Sequence, residues 1–185
     1  MPTWRGYITE KEDFLESAYF HRWNELLNNK RLDKLLKESN YRLVFYPHYE
    51  MQKFIGEFEQ TSEYITYASF KEYDVQQLLK ESRLLITDYS SVFFDFAYME
   101  KPVIYYQFDS EDFFQRQYSK GYFDYNIHGF GPVCNECHDL IEQIERYLQS
   151  DCTIEEQFRN RIDGFYPLRD DKNCDRIFSE IINKS

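Results

Sequence analysis

The chain has 185 residues, enough for one domain with a full core, and it combines 19% aromatic with 30% charged side chains. A formal net charge of −11 argues against broad electrostatic binding to nucleic acid or an anionic membrane, so any anion site has to be local. No run reaches the roughly 18 apolar residues of a membrane span and the N-terminus lacks a signal-peptide pattern, which predicts a cytoplasmic protein.

In chain order, Met1 to Arg5 reads as the end of a strand entering a loop. Residues 6–24 are polar and aromatic without clean periodicity, which predicts a loop with some helix. Leu26, Leu27, Leu32, Leu35 and Leu36 recur near helical spacing and predict a helix over Arg31 to Ser39. Tyr41 to Tyr46 follows as a strand ending in Pro47-His48, then Glu50 to Phe58 as a short amphipathic helix. Tyr64 to Tyr67 is the next strand and Tyr73 to Glu81 the next helix.

Arg83 to Thr87 is a short apolar run that fits a strand buried on both faces. Asp88-Tyr89-Ser90-Ser91 supplies turn and cap chemistry, Val92 to Met99 an apolar helix, Lys101-Pro102 a stop, and Val103 to Tyr106 a second strand. Such a strand–helix–strand unit is a right-handed parallel crossover. Phe108 to Tyr125 reads as a long aromatic loop, too aromatic for disorder and of a length that is usually functional. Gly129 to Pro132 turns into Val133. Helices are expected over Asp139 to Gln149, Ile154 to Asp163 and Asp175 to Asn183. The alternation of strand and helix points to an α/β fold with a parallel sheet covered on both faces.

Ligand chemistry in such folds sits at the carboxyl ends of strands, where the next helix begins. Ser90 and Ser91 stand there, and two hydroxyls beside free helix amides suit a phosphate; the competing reading is that they only cap the helix. His48 also follows a strand, where an imidazole can donate to a phosphate oxygen or protonate a leaving phosphate; the alternative is a loop histidine bonded to its neighbours. Asp95 suits a ribose hydroxyl or a nearby cation, and Asp88 belongs to the turn. Among the cations, Arg5 and the pair Arg116 and Lys120 lie in loops expected to face a cleft.

The run Leu85-Ile-Thr-Asp-Tyr-Ser-Ser-Val-Phe-Phe-Asp-Phe-Ala97, with Lys101-Pro-Val-Ile-Tyr-Tyr106 after it, closely resembles a signature of the CDP-glycerol glycerophosphotransferases. These are the teichoic acid primases and polymerases of Gram-positive bacteria. Pro2-Thr-Trp-Arg5, Phe45-Tyr-Pro-His48 and Gly121-Tyr-Phe-Asp-Tyr125 with Gly131-Pro132 resemble further stretches of that family, in its order and over essentially the whole chain.

The resemblance implies a Rossmann-like parallel sheet with helices on both faces, equivalent to the C-terminal half of a GT-B fold. Residues 1–185 would then be a single nucleotide-donor-binding domain, with the family's N-terminal acceptor half absent. The implied reaction moves glycerol phosphate, or a related polyol phosphate, from a CDP-linked donor to a polymer or lipid-linked acceptor and releases CMP. It implies His48 as the catalytic group and Ser90, Ser91, Asp88, Asp95 and Arg5 as substrate-binding residues, with no cofactor, no metal and no nucleic-acid partner. The acceptor-activating base is expected in the other half, supplied by a missing domain or a partner chain, so this chain alone is expected to bind donor without turning it over. The intact enzyme is expected in the cytoplasm, peripheral at the inner face of the membrane. A non-catalytic nucleotide- or phosphate-binding module and a UDP-sugar-using glycosyltransferase or epimerase are the competing classes.

Cys134-Asn-Glu-Cys137-His138 formally matches the haem-attachment spacing and half of a zinc site. One pair with distant partners is too little for zinc, and no axial ligand for haem is evident, so the thiols are expected to be incidental. A cytoplasmic setting also disfavours disulfides.

Overall fold

Short parallel strands frame the computed structural model, which describes residues 1–183. They are β1 (Leu43–Phe45), β2 (Ile65–Tyr67), β3 (Leu85–Thr87), β4 (Val103–Tyr106) and β5 (Val133–Cys134). β1 pairs with β2, Leu43 opposite Ile65. β3 pairs with β4 and β4 with β5, placing Leu85 opposite Val103 and Tyr105 opposite Val133. The sheet expected as one piece is therefore regular in two pieces.

Met1 to Thr3 lies between the two pieces. The Met1 nitrogen donates to the Ile86 carbonyl at 2.6 Å, and the His48 N–H donates to the Pro2 carbonyl at 3.2 Å. Counting this segment first, the spatial order becomes third, second, first, fourth, fifth, sixth, which is the doubly wound nucleotide-binding order. Its switch point falls between β1 and β3. The strand end expected at the N-terminus thus sits at the centre of the domain.

Side-chain alternation along β4 shows why the fold is layered. Ile104 and Tyr106 pack into one apolar cluster with Phe14, Trp23, Leu26, Phe45 and Ile144. Val103 and Tyr105 pack into a second with Leu79, Phe93, Phe96, Phe130 and Ile162. All four β4 residues are fully buried, as a strand covered on both faces requires. Gly131 permits the close passage of the chain into β5, because a Cβ there would lie 1.7 Å from the Val103 carbonyl oxygen.

The helices are α1 (Lys11–Glu16), α2 (Ala18–Leu27), α3 (Lys30–Ser39), α4 (Val75–Glu81), α5 (Val92–Tyr98), α6 (Ser110–Arg116), α7 (Tyr125–His128), α8 (Cys137–Gln149), α9 (Glu156–Phe165) and α10 (Asn173–Asn183). The short amphipathic helix expected over Glu50 to Phe58 is a 3-10 helix over Tyr49–Glu57, with Met51 and Phe54 buried.

Two expectations are corrected. Residues 6–24 carry α1 and most of α2 rather than a loop with some helix. Ser17 starts α2 by accepting from the Phe20 N–H, and Tyr19, Trp23, Leu26 and Leu27 form its buried stripe. The stretch from Phe108 to Tyr125 is not one loop, since α6 occupies its first half and buries Phe113. Its second half does expose Tyr118 and Tyr122. On α10, Ile177, Phe178, Ile181 and Ile182 are exposed. No described helix is long and apolar enough to cross a membrane.

Candidate nucleotide-donor site

At the switch point three chain segments meet at the carboxyl ends of the strands. β1 runs into Pro47-His48, β3 into Asp88 to Ser91, and Pro2-Thr3 ties them together. The Thr3 N–H and hydroxyl donate to Asp88 Oδ1 at 2.8 and 2.6 Å, while His48 holds Pro2. His48, Ser90 and Ser91 therefore share one rim of the sheet.

The serines are not caps. Ser91 precedes α5 with a helical backbone (φ −61°, ψ −11°), whereas a capping side chain reaches the first-turn amides from extended backbone. Among the described residues neither serine hydroxyl forms a hydrogen bond; only their carbonyls accept, from Phe93 and Phe94. Ser90 is half-buried and Ser91 exposed. Both hydroxyls remain free to donate outward.

His48 is held with one nitrogen committed. Its Nδ1 accepts from the Glu50 N–H at 3.3 Å, and the ring stacks on Trp4 at 5.8 Å and leans on Tyr49 at 4.5 Å. In the neutral ring this places the proton on Nε2, the nitrogen that remains to donate. Partial burial lowers the pKa from its usual 6.5, against the opposing pull of Glu50. An anion placed at Nε2 reverses that shift.

Arg5 and Asp88 take a different place from the one expected. Arg5 does not face a cleft; it is fully buried. Its Nε and Nη2 grip Asp109 bidentately at 2.7 and 2.9 Å, and Nη1 donates to Asp88 at 3.0 Å and to the Thr3 carbonyl at 2.9 Å. The guanidinium lies 4.9 Å from the Phe113 ring centroid and 5.2 Å from that of Tyr89. Burial disfavours its charge, but Asp88 and Asp109 outweigh burial and hold it protonated above its usual range. Asp88 is equally enclosed, accepting from Thr3, Arg5 and the Tyr89 N–H, while Gln107 donates to its carbonyl at 3.0 Å. Neither charge is available to a ligand; together they fix the turn that presents Ser90 and Ser91.

Asp95 is exposed on α5, on the side of Tyr166 beyond α9, whose pKa burial and then the Asp95 charge push up to about 12, so it is not gathered with Arg5 and Asp88. Arg116 lies over Tyr7 at 3.8 Å and Lys120 over Phe114 at 5.7 Å. Lys101 donates to the carbonyls of Leu79, Lys80 and Ser82, closing the end of α4. The residue that sequence reasoning missed is Asp109. Its signal was positional, since it stands three residues beyond β4 as Asp88 stands one beyond β3, and two acidic strand ends side by side call for a shared cation.

Cys134 and Cys137 are buried free thiols. Burial, helped by nearby carboxylates, pushes them up to about 12 and about 11. No group of three or more metal-ligating side chains occurs among the described residues.

Comparison with known proteins places the chain in a family. The profile of the family described as CDP-glycerol:poly(glycerophosphate) glycerophosphotransferase matches residues 1–183. The minor teichoic acid biosynthesis protein GgaB of Bacillus subtilis is 36% identical over 98% of this chain, which spans 21% of that relative. The teichoic acid poly(glycerol phosphate) polymerase of Bacillus spizizenii is 32% identical over 78% of the chain, which here spans 34% of the relative. The solved structure of the wall teichoic acid polymerase TagF superposes with a TM-score of 0.61 at 24% identity, over 99% of this chain and 42% of that one, and so supports the fold. The chain thus spans about a third or less of the length of these two curated relatives. With residues 1–183 matched by that profile, the chain belongs to the CDP-glycerol:poly(glycerophosphate) glycerophosphotransferase family.

Proposed function

We propose that this chain binds a CDP-linked polyol donor for a glycerophosphotransferase acting in teichoic acid or related cell-surface polymer synthesis. The observation that carries the proposal is the pair of unengaged hydroxyls on Ser90 and Ser91 at the switch point of a doubly wound fold. Family membership supplies the donor class.

In this reading Ser90 and Ser91 donate to the donor's diphosphate, and His48 Nε2–H donates to the phosphate that leaves with CMP. As that phosphate gains negative charge, a donor aimed at it is favoured more in the transition state than in the ground state. The transfer forms a bond from the acceptor oxygen to the glycerol phosphate phosphorus and breaks the bond from that phosphorus to the CMP oxygen. The buried Arg5–Asp88–Asp109 node serves as a positioning element that never touches the donor. Asp95, exposed one turn into α5, is assigned to the donor's sugar hydroxyls. The proposal assigns donor binding here and acceptor activation to another domain or chain.

Calorimetric titration with CDP-glycerol, CMP, UDP-N-acetylglucosamine and ATP tests the reading. Binding of CDP-glycerol or CMP ahead of the other two is expected. A preference for the UDP-sugar would move the site to the sugar-nucleotide class, and robust polymer extension by the 185-residue chain alone would refute the assignment to donor binding.

A further inference from the structure

Gln117 stands directly after α6, and its backbone N–H closes that helix on the Phe113 carbonyl at 3.0 Å. Its side chain leaves the helix for a segment more than a hundred positions away. Nε2 donates to the Trp4 carbonyl at 3.2 Å, and Oε1 accepts from the Gly6 N–H at 2.8 Å. A planar amide offers a donor and an acceptor together, and here both are spent on the peptide groups flanking Arg5. The Arg5 Nη1 reaches the same Trp4 carbonyl only at 3.5 Å, so Gln117 is its principal partner.

That grip is passed on to the rim. Arg5 turns inward to Asp88 and Asp109, while the Trp4 indole stacks on His48, with centroids 5.8 Å apart and planes 20° apart. Gly6 lies against the indole: a Cβ on it would sit 3.4 Å from Trp4 Cη2 and Cζ3, and 3.8 Å from Gln117 Oε1. Gln117, Gly6, Trp4 and His48 therefore form one chain of contacts from the end of α6 to the donor rim. The α6 end of that chain is firm, because Phe113 stacks on Tyr89 at 3.9 Å and Asp109 is held by Arg5. The His48 end depends on the stack. Its Nδ1 contact with the Glu50 N–H is long at 3.3 Å, and Tyr49, the other ring against it, is 59% exposed.

We infer that Gln117 is a positioning residue for His48, acting through the backbone and indole of Trp4. The inference rests on the reading of His48 as a donor-site residue. Gln117 itself does not touch the donor. Its amide fixes the Trp4 and Gly6 peptides, the indole fixes the plane of the imidazole, and Nε2–H keeps one direction before the ligand arrives.

The test variant is Gln117→Met, which keeps the side-chain length and loses both hydrogen bonds. Trp4→Leu marks the unstacked position of the His48 Cε1–H resonance. In the unliganded chain, Gln117→Met is expected to move that resonance toward its Trp4→Leu position while those of His21, His128 and His138 stay. A tie that only stabilises the fold would lower the melting temperature and leave the His48 resonance unmoved, and that result overturns the inference. In calorimetric titration at pH 6, Gln117→Met should weaken CDP-glycerol binding about threefold, with no further loss when His48→Ala is already present. Equal loss in both backgrounds means a route that bypasses His48, which also overturns it. Should His48→Ala alone leave affinity unchanged, the donor-site reading fails, and the resonance by itself decides whether Gln117 sets the ring.

Discussion

Two regions a few residues apart use the same kinds of side chain in opposite ways. Around Arg5 every charge is turned inward: a guanidinium, two carboxylates and a threonine satisfy one another without solvent. At the rim, among the described residues, the Ser90 and Ser91 hydroxyls have no hydrogen-bond partner and His48 keeps Nε2 uncommitted. A buried ion group is stable only when every member is paired, because desolvation costs several kcal/mol per charge. The motif containing Asp88, Ser90 and Ser91 therefore divides its labour. Its acid anchors the turn to the sheet and its hydroxyls face outward. Their freedom depends on the anchoring, since it is the clamped turn that leaves Ser91 in helical backbone instead of a capping geometry.

Breaking the anchor should have the largest effect. Arg5→Met leaves Asp88 and Asp109 enclosed without a counter-charge and is expected to cost about 3–5 kcal/mol of stability, measured by urea denaturation. Arg5→Lys should recover only part of this, because a point charge cannot reproduce the bidentate grip on Asp109. Thr3→Val removes one short hydrogen bond to a carboxylate and should cost about 1.5–3 kcal/mol.

At the rim, substitutions should act on the ligand and spare the fold. His48→Ala is expected to weaken CDP-glycerol binding more at pH 6 than at pH 8, by about tenfold at the lower pH. The sign follows from linkage: an anion at Nε2 raises the imidazole pKa, so binding takes up a proton and strengthens as pH falls. In the free chain the sign is opposite. Burial lowers the His48 pKa below 6.5, so the unfolded chain takes the proton first. The histidine's contribution to stability is present above about pH 6.5 and lost as pH falls through the folded-state value. Urea midpoints from pH 7 to pH 5 should fall less steeply in His48→Gln. The smallest effect concerns the thiols. With Cys134 and Cys137 pushed up to about 12 and about 11, a thiol reagent at pH 8 should label exposed Cys174 and leave both unreacted until the chain unfolds.

Much of the frame was legible in the sequence because periodicity and burial agree there. Val103 to Tyr106 is a four-residue apolar run bounded by Pro102, and it is β4. The α2 helix was less legible because Arg22, Asn24 and Glu25 interrupt an aromatic stripe that only the sheet makes coherent. The roles of Arg5 and Asp88 were hidden for a different reason. A cation near a strand end reads the same from sequence whether it faces a ligand or a second acid, and only long-range pairing with Asp109, 104 positions away, decides. The serines were legible as a motif but not as free hydroxyls, since cap and ligand readings share one residue pattern and differ in a backbone angle.

The most direct test of the donor site is a paired measurement on Ser90→Ala and Ser91→Ala, reading CDP-glycerol affinity by calorimetry and melting temperature on the same samples. Each hydroxyl bonded to a charged diphosphate is worth roughly 1.5–3 kcal/mol, so affinity should fall about 10- to 150-fold in each variant. The melting temperature should stay nearly unchanged, because neither side chain caps α5. Variants that melt early yet bind CDP-glycerol as tightly as the unaltered chain would contradict the assignment.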